Sequence, residues 1–376
     1  MVVVLSKNCR MPILDVSRRL LSVPWRLLFR HWFTLASCLF GVFVTPAGVA
    51  VQTIGGLTAV DGIKVGHYTL ASRPTGCTVV LVEAGAVAGV DVRGGAPGTR
   101  EVALLAPTRT VQQVHAVVLA GGSAFGLDAA SGVVRYLAER GIGYDTRVAR
   151  VPIVPAAILF DLGVGDDPTI RPTAECGYRA AEMSTAGLVR EGNVGAGAGA
   201  TLGKIAGSGR AMKGGIGSAS VVLPNGVTVA ALVAVNAVGD VIDSDGQVVA
   251  GVRTENGLGL ADARTLLRAG TGRLGRPGEN TTIGVVATDA RLTQAQATVM
   301  AQMAHDGFAR ALVPSHTPSD GDAIFALATG QLSASPDIST IGALAADVMS
   351  QAVVRAARAA VGIPGYPAAR DLRVGP

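Results

Sequence analysis

Two hydroxyl residues, Thr281 and Thr282, stand at the start of a short apolar run, 283–287, that follows a Pro-Gly turn signal at 277–278. An apolar, β-branched run behind a turn predicts a strand, so a nucleophile candidate lies at a strand start. A threonine hydroxyl is a weak nucleophile without a nearby base, and the amine of the same residue becomes one if the preceding bond is cut. Such an amine has a pKa of roughly 7.7 to 8.0, which suits proton transfer near neutral pH. We therefore predict self-cleavage between Asn280 and Thr281.

A second pattern consists of two carboxylates, Asp320 and Asp322, that alternate with a glycine just before another apolar run. An extended backbone would point both side chains to the same side. A carboxylate beside an ammonium group holds it in place and tunes its pKa, and another carboxylate can orient a hydroxyl. Both patterns have simpler interpretations: the first is also a plain strand start or a glycosylation sequon, and the second is also an acidic surface turn.

Several blocks of the sequence carry a family resemblance. The segment GENTTIGVVATDARL contains Thr281, PSDGD follows at 318–322, and GGSAFGLDAASGV and VPIVP lie upstream. They resemble the P1 family of self-cleaving aminopeptidases and amidases, which includes L-aminopeptidase/D-esterases, β-aminopeptidases and nylon-oligomer hydrolases. The resemblance extends over most of the chain, from Gly56 to Gly365. It implies a layered α-β-β-α sandwich of the self-processing aminopeptidase and ornithine acetyltransferase type, whereas composition and strand spacing alone indicate only an α/β fold.

The resemblance also assigns roles to individual residues. Lys204, in GATLGK, matches a lysine close to the nucleophile, where a partly desolvated ammonium could lower the pKa of the amine or hold a developing negative charge. Asn236, in ALVAVNAV, matches an asparagine that donates to the oxyanion. Asp320 and Asp322 match two aspartates that orient the threonine hydroxyl and its amine in the nylon-oligomer hydrolases. The alternative for Lys204 is a solvated side chain without a role, and Lys213 is the second candidate for the lysine of the site. The alternative for Asn236 is that it ties down a neighbouring loop.

A substrate-binding turn is predicted around GGSAFG at 121–126, where a strand, a glycine turn and a helix start follow one another. Free amides at such a helix start, those of Gly122 and Ser123, could hold a carboxylate or an oxyanion, although close packing of helix on strand explains the glycines equally well. Phe160, which we also predict to contact substrate, stands where some family members have a tyrosine hydroxyl near the oxyanion site. Either Asn236 and backbone amides suffice to bind the oxyanion, or another hydroxyl replaces that of the missing tyrosine.

Turn and cap signals predict the elements that carry these residues. An Asn-Gly turn at 225–226 between β-branched runs predicts an antiparallel hairpin whose second strand contains Asn236. Thr293 can cap a helix over 294–312. The stretch 252–276 is predicted to be an exposed linker that leads to the cleavage site. The core face of the helix is expected to carry Val299, Met303 and Leu312.

The first fifty residues have a composition of their own. Basic side chains up to Arg30 precede an uncharged run, 32–51, that ends with small residues at 48–50. This order is typical of an export signal, and a run of roughly 20 apolar residues also suffices for a membrane anchor. We therefore predict that residues 1–50 are an export signal or an anchor that contacts the membrane through 32–51. The protein is then exported, to the periplasm in the first case, and a cytoplasmic protein whose true start lies downstream is the remaining alternative.

Bulk composition narrows the class of protein. The 376 residues are 49% hydrophobic and 16% charged, which indicates a globular chain. The net charge of +5 does not indicate nucleic-acid binding, because six basic residues lie in the first thirty positions and acidic residues balance most of the others. Beyond residue 50 only Cys77 and Cys176 remain, without CxxC spacing, so we expect no structural zinc, although one disulfide stays open. We expect no metal and no cofactor.

The function that we predict is a self-processing N-terminal nucleophile hydrolase. Residues 51–376 would form a single domain that is cut into 51–280 and 281–376. Thr281 would then cleave amide bonds of small peptides, amino-acid amides or amino-acid oligomers through an acyl-enzyme. The resemblance implies a homo-oligomer, a tetramer of processed pairs. An acyltransferase of the ornithine acetyltransferase type and a non-catalytic exported binding protein on the same scaffold are the alternatives.

Overall fold

The computed structural model describes residues 55–272, 279–333 and 337–372, which belong to one compact unit spanning Ala50–Pro376. The predicted export signal, 1–50, and the predicted membrane contact, 32–51, lie outside these described residues. Within the described ranges, no helix combines the length and the apolar character needed to cross a membrane.

The helices and strands have the following bounds. The strands are β1 (Lys64–Thr69), β2 (Gly76–Val92), β3 (Thr99–Arg100), β4 (Gln113–Ala120), β5 (Tyr144–Asp145), β6 (Arg150–Val151), β7 (Ala156–Ile158), β8 (Thr201–Leu202), β9 (Met212–Lys213), β10 (Gly215–Val222), β11 (Thr228–Asn236), β12 (Asp240–Ile242), β13 (Val248–Ala250), β14 (Thr281–Ala290), β15 (Leu312–Val313) and β16 (Ala323–Leu332). The α-helices are α1 (Ala129–Ala138), α2 (Ala174–Glu182), α3 (Ala263–Arg268), α4 (Gln294–Ala311) and α5 (Ile338–Ala359).

A nine-stranded sheet forms the body of the described structure. Its order is β10-β11-β14-β16-β2-β4-β7-β3, with β1 paired to β2. Adjacent strands are antiparallel except for β14 with β16 and β4 with β7, so the sheet is mixed. The long strand β2 pairs with β4 and with β16, and its register shifts between Leu81 and Ala86. The two β layers that we predicted are therefore connected through β2 as parts of one hydrogen-bonded sheet.

The alternation of side chains along β11 shows how the layers form. The odd-numbered residues from Val229 to Val235 join a core with α4 and α5. The even-numbered residues from Ala230 to Ala234 join a different core with β2 and β4, since successive side chains of a strand point to opposite faces. The far face of β2 and β4 packs on α1 and α2. The order helix, sheet, sheet, helix confirms the predicted α-β-β-α sandwich.

The hairpin predicted from the Asn-Gly turn forms as β10 and β11. The two strands pair antiparallel from Gly215↔Val235 to Val222↔Thr228. Gly226 has a φ of 86°, the left-handed conformation that glycine adopts without strain. This hairpin brings Asn236 to the end of β11, next to the start of β14.

The helix predicted over 294–312 is also present, as α4. Thr293 caps it, and its side chain and that of Gln296 form a reciprocal capping box. One detail of the prediction is wrong, because Val299 is 39% exposed. The buried face of α4 carries Met300, Ala304 and Phe308 instead, at helical spacing, so the large apolar side chain at 299 lies one position off the core-facing stripe.

The stretch that we predicted to be an exposed linker is anchored in its described part, 252–272. Val252 and Ala263 are buried with Ile205 in a small cluster. The carboxylate of Asp240 accepts hydrogen bonds of 2.7 Å from both of their backbone amides. Apart from these two anchors, the residues of 253–272 are exposed or half-buried. The predicted exposed linker is therefore present in this part, but it is tied down at Val252 and Ala263.

Candidate active site

Three adjacent strands bring most of the predicted site residues together. Asn236 and Thr281 are partners in the antiparallel pair of β11 and β14. On its other side β14 runs parallel to β16, and the pairing continues beyond both strands as a bridge between Asn280 and Asp320. The sheet order thus places the asparagine, the threonine and the carboxylates at the same end of neighbouring strands.

The predicted scissile bond is buried and tightly held. Asn280 is 1% exposed and Thr281 is 2% exposed. The Thr281 hydroxyl donates a short hydrogen bond to the carbonyl oxygen of Asn280. The backbone amide of Gly321 donates to the same oxygen at 2.9 Å. A nucleophile candidate therefore lies against the carbonyl that self-cleavage would attack, and a fixed donor holds the oxygen on which negative charge would develop.

Lys204 connects Asn236 to the chain before the scissile bond. Its Nζ donates to the side-chain and backbone oxygens of Asn236, both at 3.0 Å, and to the carbonyl oxygen of Glu279 at 3.1 Å. Burial lowers the pKa of Lys204 to about 7, against the attraction of Asp320, Glu279 and Asp161. A lysine with this pKa can hold or release a proton near neutral pH.

Asn236 is fully buried and makes three sets of contacts. Its Oδ1 accepts from the Thr201 amide at 2.9 Å and from Lys204, while its Nδ2 donates to the carbonyl oxygen of Phe160 at 3.0 Å. The side chain therefore ties down two neighbouring segments, as the simpler interpretation expected. A carboxamide NH2 has two hydrogens, and only one has a partner among the described residues. The second remains available to an oxyanion.

The two aspartates are both 2% exposed, so the interpretation as an acidic surface turn is wrong. Both oxygens of Asp322 accept hydrogen bonds: Oδ1 accepts from the Thr282 amide at 2.7 Å, and Oδ2 accepts from the amide and the ring Nδ1 of His316 at 3.0 and 2.9 Å. Asp320 accepts from the Thr317 amide at 2.8 Å on Oδ2, and its Oδ1 has no hydrogen-bond partner among the described residues. Asp320 is thus the carboxylate with an unused acceptor atom.

The acidity of Asp320 differs from that of an ordinary carboxylate. Burial raises its pKa to about 6, and the nearby charge of Asp322 adds to the rise. The hydrogen bonds from Thr317 and the positive charge of Lys204 act in the opposite direction. A carboxylate in this range can accept or return a proton at physiological pH, which a carboxylate of normal pKa does poorly.

A cavity of about 160 Å³ adjoins these residues. Among the residues that line it are Phe160, Asp161, Lys204, Glu279 and Tyr366. Phe160, one of the predicted substrate-binding residues, is therefore at the cavity wall. Tyr366 is another lining residue, and its hydroxyl makes no hydrogen bond within the described residues.

The other two predicted substrate-binding residues use their amides within the protein. Gly122 donates to Asp161 Oδ1 at 2.9 Å, and Ser123 donates to the carbonyl oxygen of Leu159 at 3.0 Å. The segment Ser123–Asp128 is a 3₁₀ turn, and α1 begins only after it. The prediction that free amides of Gly122 and Ser123 bind substrate is therefore wrong for the uncut chain, because the carboxylate bound at this glycine turn is that of Asp161.

Sequence reasoning missed Asp161 as a buried charge. Its carboxylate accepts from the Thr75 hydroxyl at 2.6 Å and lies 3.4 Å from the Arg73 guanidinium, both far away in the chain. Burial raises the pKa of Asp161, while the hydrogen bond of Thr75 and the charge of Arg73 oppose the rise. A single acidic residue directly after the apolar run VPAAILF was the available signal.

Lys213, the second lysine candidate, has a structural position. It is 0% exposed, and its ammonium donates to the carbonyl oxygens of Gly197, Ala200 and Gly214 at 2.8 to 2.9 Å. Burial lowers its pKa to about 7, against the attraction of Asp161. All its contacts are with backbone oxygens of the glycine-rich segments, whereas Lys204 contacts Asn236 and Glu279, so Lys204 is the lysine of the site.

Cys77 and Cys176 form a disulfide that joins β2 to α2, with their Cα atoms 6.2 Å apart. Both residues are buried in the core between the sheet and the α1–α2 pair. No group of three or more His, Cys, Asp or Glu side chains suited to a metal ion occurs in the part of the chain that the structure describes.

The α-β-β-α sandwich and the buried threonine at a strand start, with lysine, asparagine and carboxylates around it, define an amide hydrolase of the N-terminal nucleophile type. The chain belongs to peptidase family S58, whose profile matches residues 56–370. An uncharacterized aminopeptidase of Mycobacterium tuberculosis is 43% identical over 347 residues, covering 84% of this chain and 97% of that protein. A 6-aminohexanoate-oligomer endohydrolase of Paenarthrobacter ureafaciens is 30% identical over 317 residues, covering 79% of this chain and 84% of that protein.

Solved structures agree with this assignment. A β-aminopeptidase of Burkholderia sp. aligns with a TM-score of 0.60 and 26% identity over 82% of this chain and 88% of that one. The L-aminopeptidase D-Ala-esterase/amidase of Ochrobactrum anthropi, a variant of the Ntn hydrolase fold, aligns with a TM-score of 0.62 and 22% identity over 84% and 90% of the two chains. The predicted family, the fold class and a hydrolase acting on peptide or amide bonds are confirmed.

Proposed function

We propose that the chain cuts itself between Asn280 and Thr281, and that the new N-terminal Thr281 hydrolyses amide bonds of small peptides, amino-acid amides or amino-acid oligomers. The observation that carries the proposal is the contact of the Thr281 hydroxyl with the carbonyl oxygen of Asn280. The Gly321 amide, which donates to the same oxygen at 2.9 Å, supports it. Together they provide a nucleophile and an oxyanion donor at one peptide bond.

Self-cleavage would proceed through an ester. The Thr281 oxygen attacks the carbonyl carbon of Asn280, its proton passes to the nitrogen of Thr281, and the carbon–nitrogen bond breaks. Water then hydrolyses the ester, which leaves a carboxylate on Asn280 and an amine on Thr281. Asp320, with its unused Oδ1 and a pKa raised to about 6, is the carboxylate suited to carry the proton.

Turnover would repeat the same chemistry on a substrate. The Thr281 amine takes the hydroxyl proton, the oxygen attacks the substrate carbonyl, and the leaving amine receives the proton before water releases the acyl group. The free N–H of Asn236 and the ammonium of Lys204 would stabilise the oxyanion, and Lys204 Nζ also donates to Oδ1 of the same asparagine at 3.0 Å. Asp320 would hold the Thr281 ammonium between these steps.

The cavity indicates a small acyl group with a free amine. Its volume is about 160 Å³, and the acidic residue Glu279 is among those that line it. An ammonium group of the substrate would be attracted there. Relatives named as aminopeptidases and as a 6-aminohexanoate-oligomer endohydrolase fit this class of substrate, because these names describe amides of amino acids.

Export and assembly belong to the same proposal. The cysteines beyond residue 50 are paired in one disulfide, which suits an oxidising compartment outside the cytoplasm. Basic and then apolar residues within 1–50 are the matching export signal or membrane anchor. We infer a homo-oligomer of processed pairs, as the family resemblance implies.

The test is the mass of the purified protein together with two variants. We expect two fragments that join at Asn280/Thr281, and the mass of the first fragment also reports where the mature chain begins. Thr281→Ala should leave one uncut chain and lower hydrolysis of an amino-acid p-nitroanilide by roughly 10⁴-fold or more, whereas Thr281→Ser should still be cut. An alanine variant that is cut and active like the wild type would exclude Thr281 as the nucleophile.

A further inference from the structure

One histidine lies directly against a carboxylate of the site. The backbone amide and the ring Nδ1 of His316 both contact Asp322 Oδ2, at 3.0 and 2.9 Å. The other oxygen of Asp322 accepts from the Thr282 amide at 2.7 Å. Because an ionised carboxylate only accepts hydrogen bonds, the ring donates from Nδ1. Asp322 is thus held on one side and itself holds the backbone directly after Thr281.

The ring of His316 is also fixed from its other side. His305, in α4, packs edge-on against it with ring centres 4.7 Å apart, and Phe308 contacts both rings. His305 is fully buried, and its Nε2 bonds to the backbone oxygen of Asp91 at 3.1 Å. The position of the His316 ring is therefore determined by α4 as well as by Asp322.

The backbone at His316 is in an unusual conformation. Its φ is 56°, in the left-handed region that only a few per cent of residues other than glycine adopt, among which asparagine, aspartate and histidine are the most frequent. Conformations of this kind persist where the surrounding structure fixes them, and they occur often at functional sites. Here the left-handed turn lets the amide and the ring of one residue reach the same carboxylate oxygen.

We propose that His316 is a positioning residue for Thr281, acting through Asp322 and the Thr282 amide. The inference rests on the proposed role of Thr281 as nucleophile. Before cleavage, Thr281 is held covalently by Asn280 and by the strand that follows. After cleavage it becomes a chain terminus, and termini lose order unless other contacts hold them. The hydrogen bond between Asp322 and Thr282 then lies one residue from the free end and orients Thr281. The orientation of the Asp322 carboxylate therefore matters more for turnover than for self-cleavage.

Three substitutions separate the donor from the shape of the side chain. His316→Asn keeps an N–H at the position of Nδ1 and tolerates a positive φ. His316→Gly removes the donor and relieves the backbone. His316→Gln keeps a similar volume but moves the amide toward the position of Nε2, so it covers the case in which the glycine variant does not fold. His115→Asn is the control for loss of another buried histidine, because its ring contacts the Ile153 amide away from the site.

The readouts are the extent of self-cleavage by mass, the unfolding temperature, and kcat and KM for one amino-acid p-nitroanilide. We expect complete cleavage in all variants, with kcat lowered roughly 10-fold or more in His316→Gly and His316→Gln and kept near the wild-type value in His316→Asn. KM should change less than twofold, because His316 is not among the described residues that line the cavity.

Equal kcat values for the asparagine and glutamine variants would overturn the proposal, whether both match the wild type or both are impaired. A fall in cleavage and turnover that merely follows the loss of folded protein would overturn it too. Wild-type protein that stays uncut would refute the proposed function itself, and this is visible before any His316 variant is made.

Discussion

The backbone amide of Gly321 donates a hydrogen bond of 2.9 Å to the carbonyl oxygen of Asn280. This bond belongs to the bridge between Asn280 and Asp320, which extends the parallel pairing of β14 and β16 in the same register before the start of both strands. The glycine between the two aspartates therefore has two functions: its amide polarises the carbonyl, and its missing side chain leaves space. A Cβ at Gly321 would lie 2.9 Å from the Thr281 hydroxyl oxygen and 2.8 Å from the carbonyl oxygen of Ala96.

Gly321→Ala should consequently slow self-cleavage. The added methyl group overlaps the Thr281 oxygen, and a displacement of about 1 Å can cost roughly 10²-fold in rate. The measurement is the fraction of cut chain over time after synthesis in a cell-free system. Gly209→Ala is the control, because a Cβ there meets nothing within 4 Å. Cleavage of Gly321→Ala at the wild-type rate would show that the hydroxyl does not need this space.

The two carboxylates should respond differently to substitution by asparagine. Asp322 receives donors from Thr282 and His316 on both oxygens, and an amide can accept on only one side. Asp322→Asn should therefore lower the free energy of unfolding by about 1 to 3 kcal/mol. Asp320→Asn can keep the hydrogen bond from Thr317 and should stay within about 1 kcal/mol of the wild type.

Activity tests the proposed role of Asp320 directly. Asp320→Asn should lower kcat by roughly 10² to 10⁴-fold, the usual effect of losing acid–base assistance. Thermal unfolding and p-nitroanilide hydrolysis on the same preparations measure both quantities. A fully active Asp320→Asn variant would remove this carboxylate from the proton transfer that we propose.

The pH dependence of turnover follows from the pKa of Asp320. Burial and the neighbouring Asp322 raise this pKa to about 6, so protonation should remove the acceptor as the pH falls through about 6. We expect kcat/KM to decline on this acid side, and the decline should be absent in Asp320→Asn. Because the folded-state pKa lies above the ordinary carboxylate value, the shift contributes stability at low pH that is lost as the pH rises through about 6.

Lys204 supplies a further check of this assignment. Its positive charge lowers the pKa of Asp320, against the larger effect of burial. Lys204→Met should therefore move the acid limb of any residual activity to higher pH. A limb that stays at the wild-type pH would indicate that a different group titrates there.

The fold class and most residues of the candidate active site could be predicted from the sequence. Alternation, an Asn-Gly turn and a capping threonine predict β10, β11 and α4, because these signals are local. The resemblance predicted Asn236, Lys204 and Thr281, and the sheet order brings them together.

What could not be predicted depends on contacts between distant segments. The different roles of Asp320 and Asp322 follow from donors on the preceding loop, whose left-handed residue His316 has no local sequence signal. The ion pair of Arg73 with Asp161 joins residues 88 positions apart. The Asp161 carboxylate also accepts a hydrogen bond from the Gly122 amide, which the sequence had led us to assign to substrate. Local patterns do not specify such pairings.

Phe160 and Tyr366 line the same cavity, and only Tyr366 carries a hydroxyl. The tyrosine lies in a tight turn in which Ile363 and Tyr366 exchange backbone hydrogen bonds of 2.9 and 3.0 Å. The next residue, Pro367, accepts a hydrogen bond of 2.9 Å from the backbone amide of Lys213. The turn is thus closed by its own bonds and tied at Pro367 to Lys213, which fixes the backbone of Tyr366 beside the cavity.

We predict that this hydroxyl substitutes for the one that Phe160 lacks. Tyr366→Phe should lower kcat by roughly 10- to 100-fold if the hydroxyl donates to the oxyanion, since loss of a single oxyanion donor has effects of this order or larger. Phe160→Tyr in the same chain should restore at least part of the loss by supplying a phenol from the other wall. Tyr178→Phe is the matched control, because its hydroxyl donates to Glu139 at the surface, away from the cavity. If Tyr366→Phe keeps the wild-type kcat, then Asn236 and backbone amides suffice, and Tyr366 acts only as part of the wall.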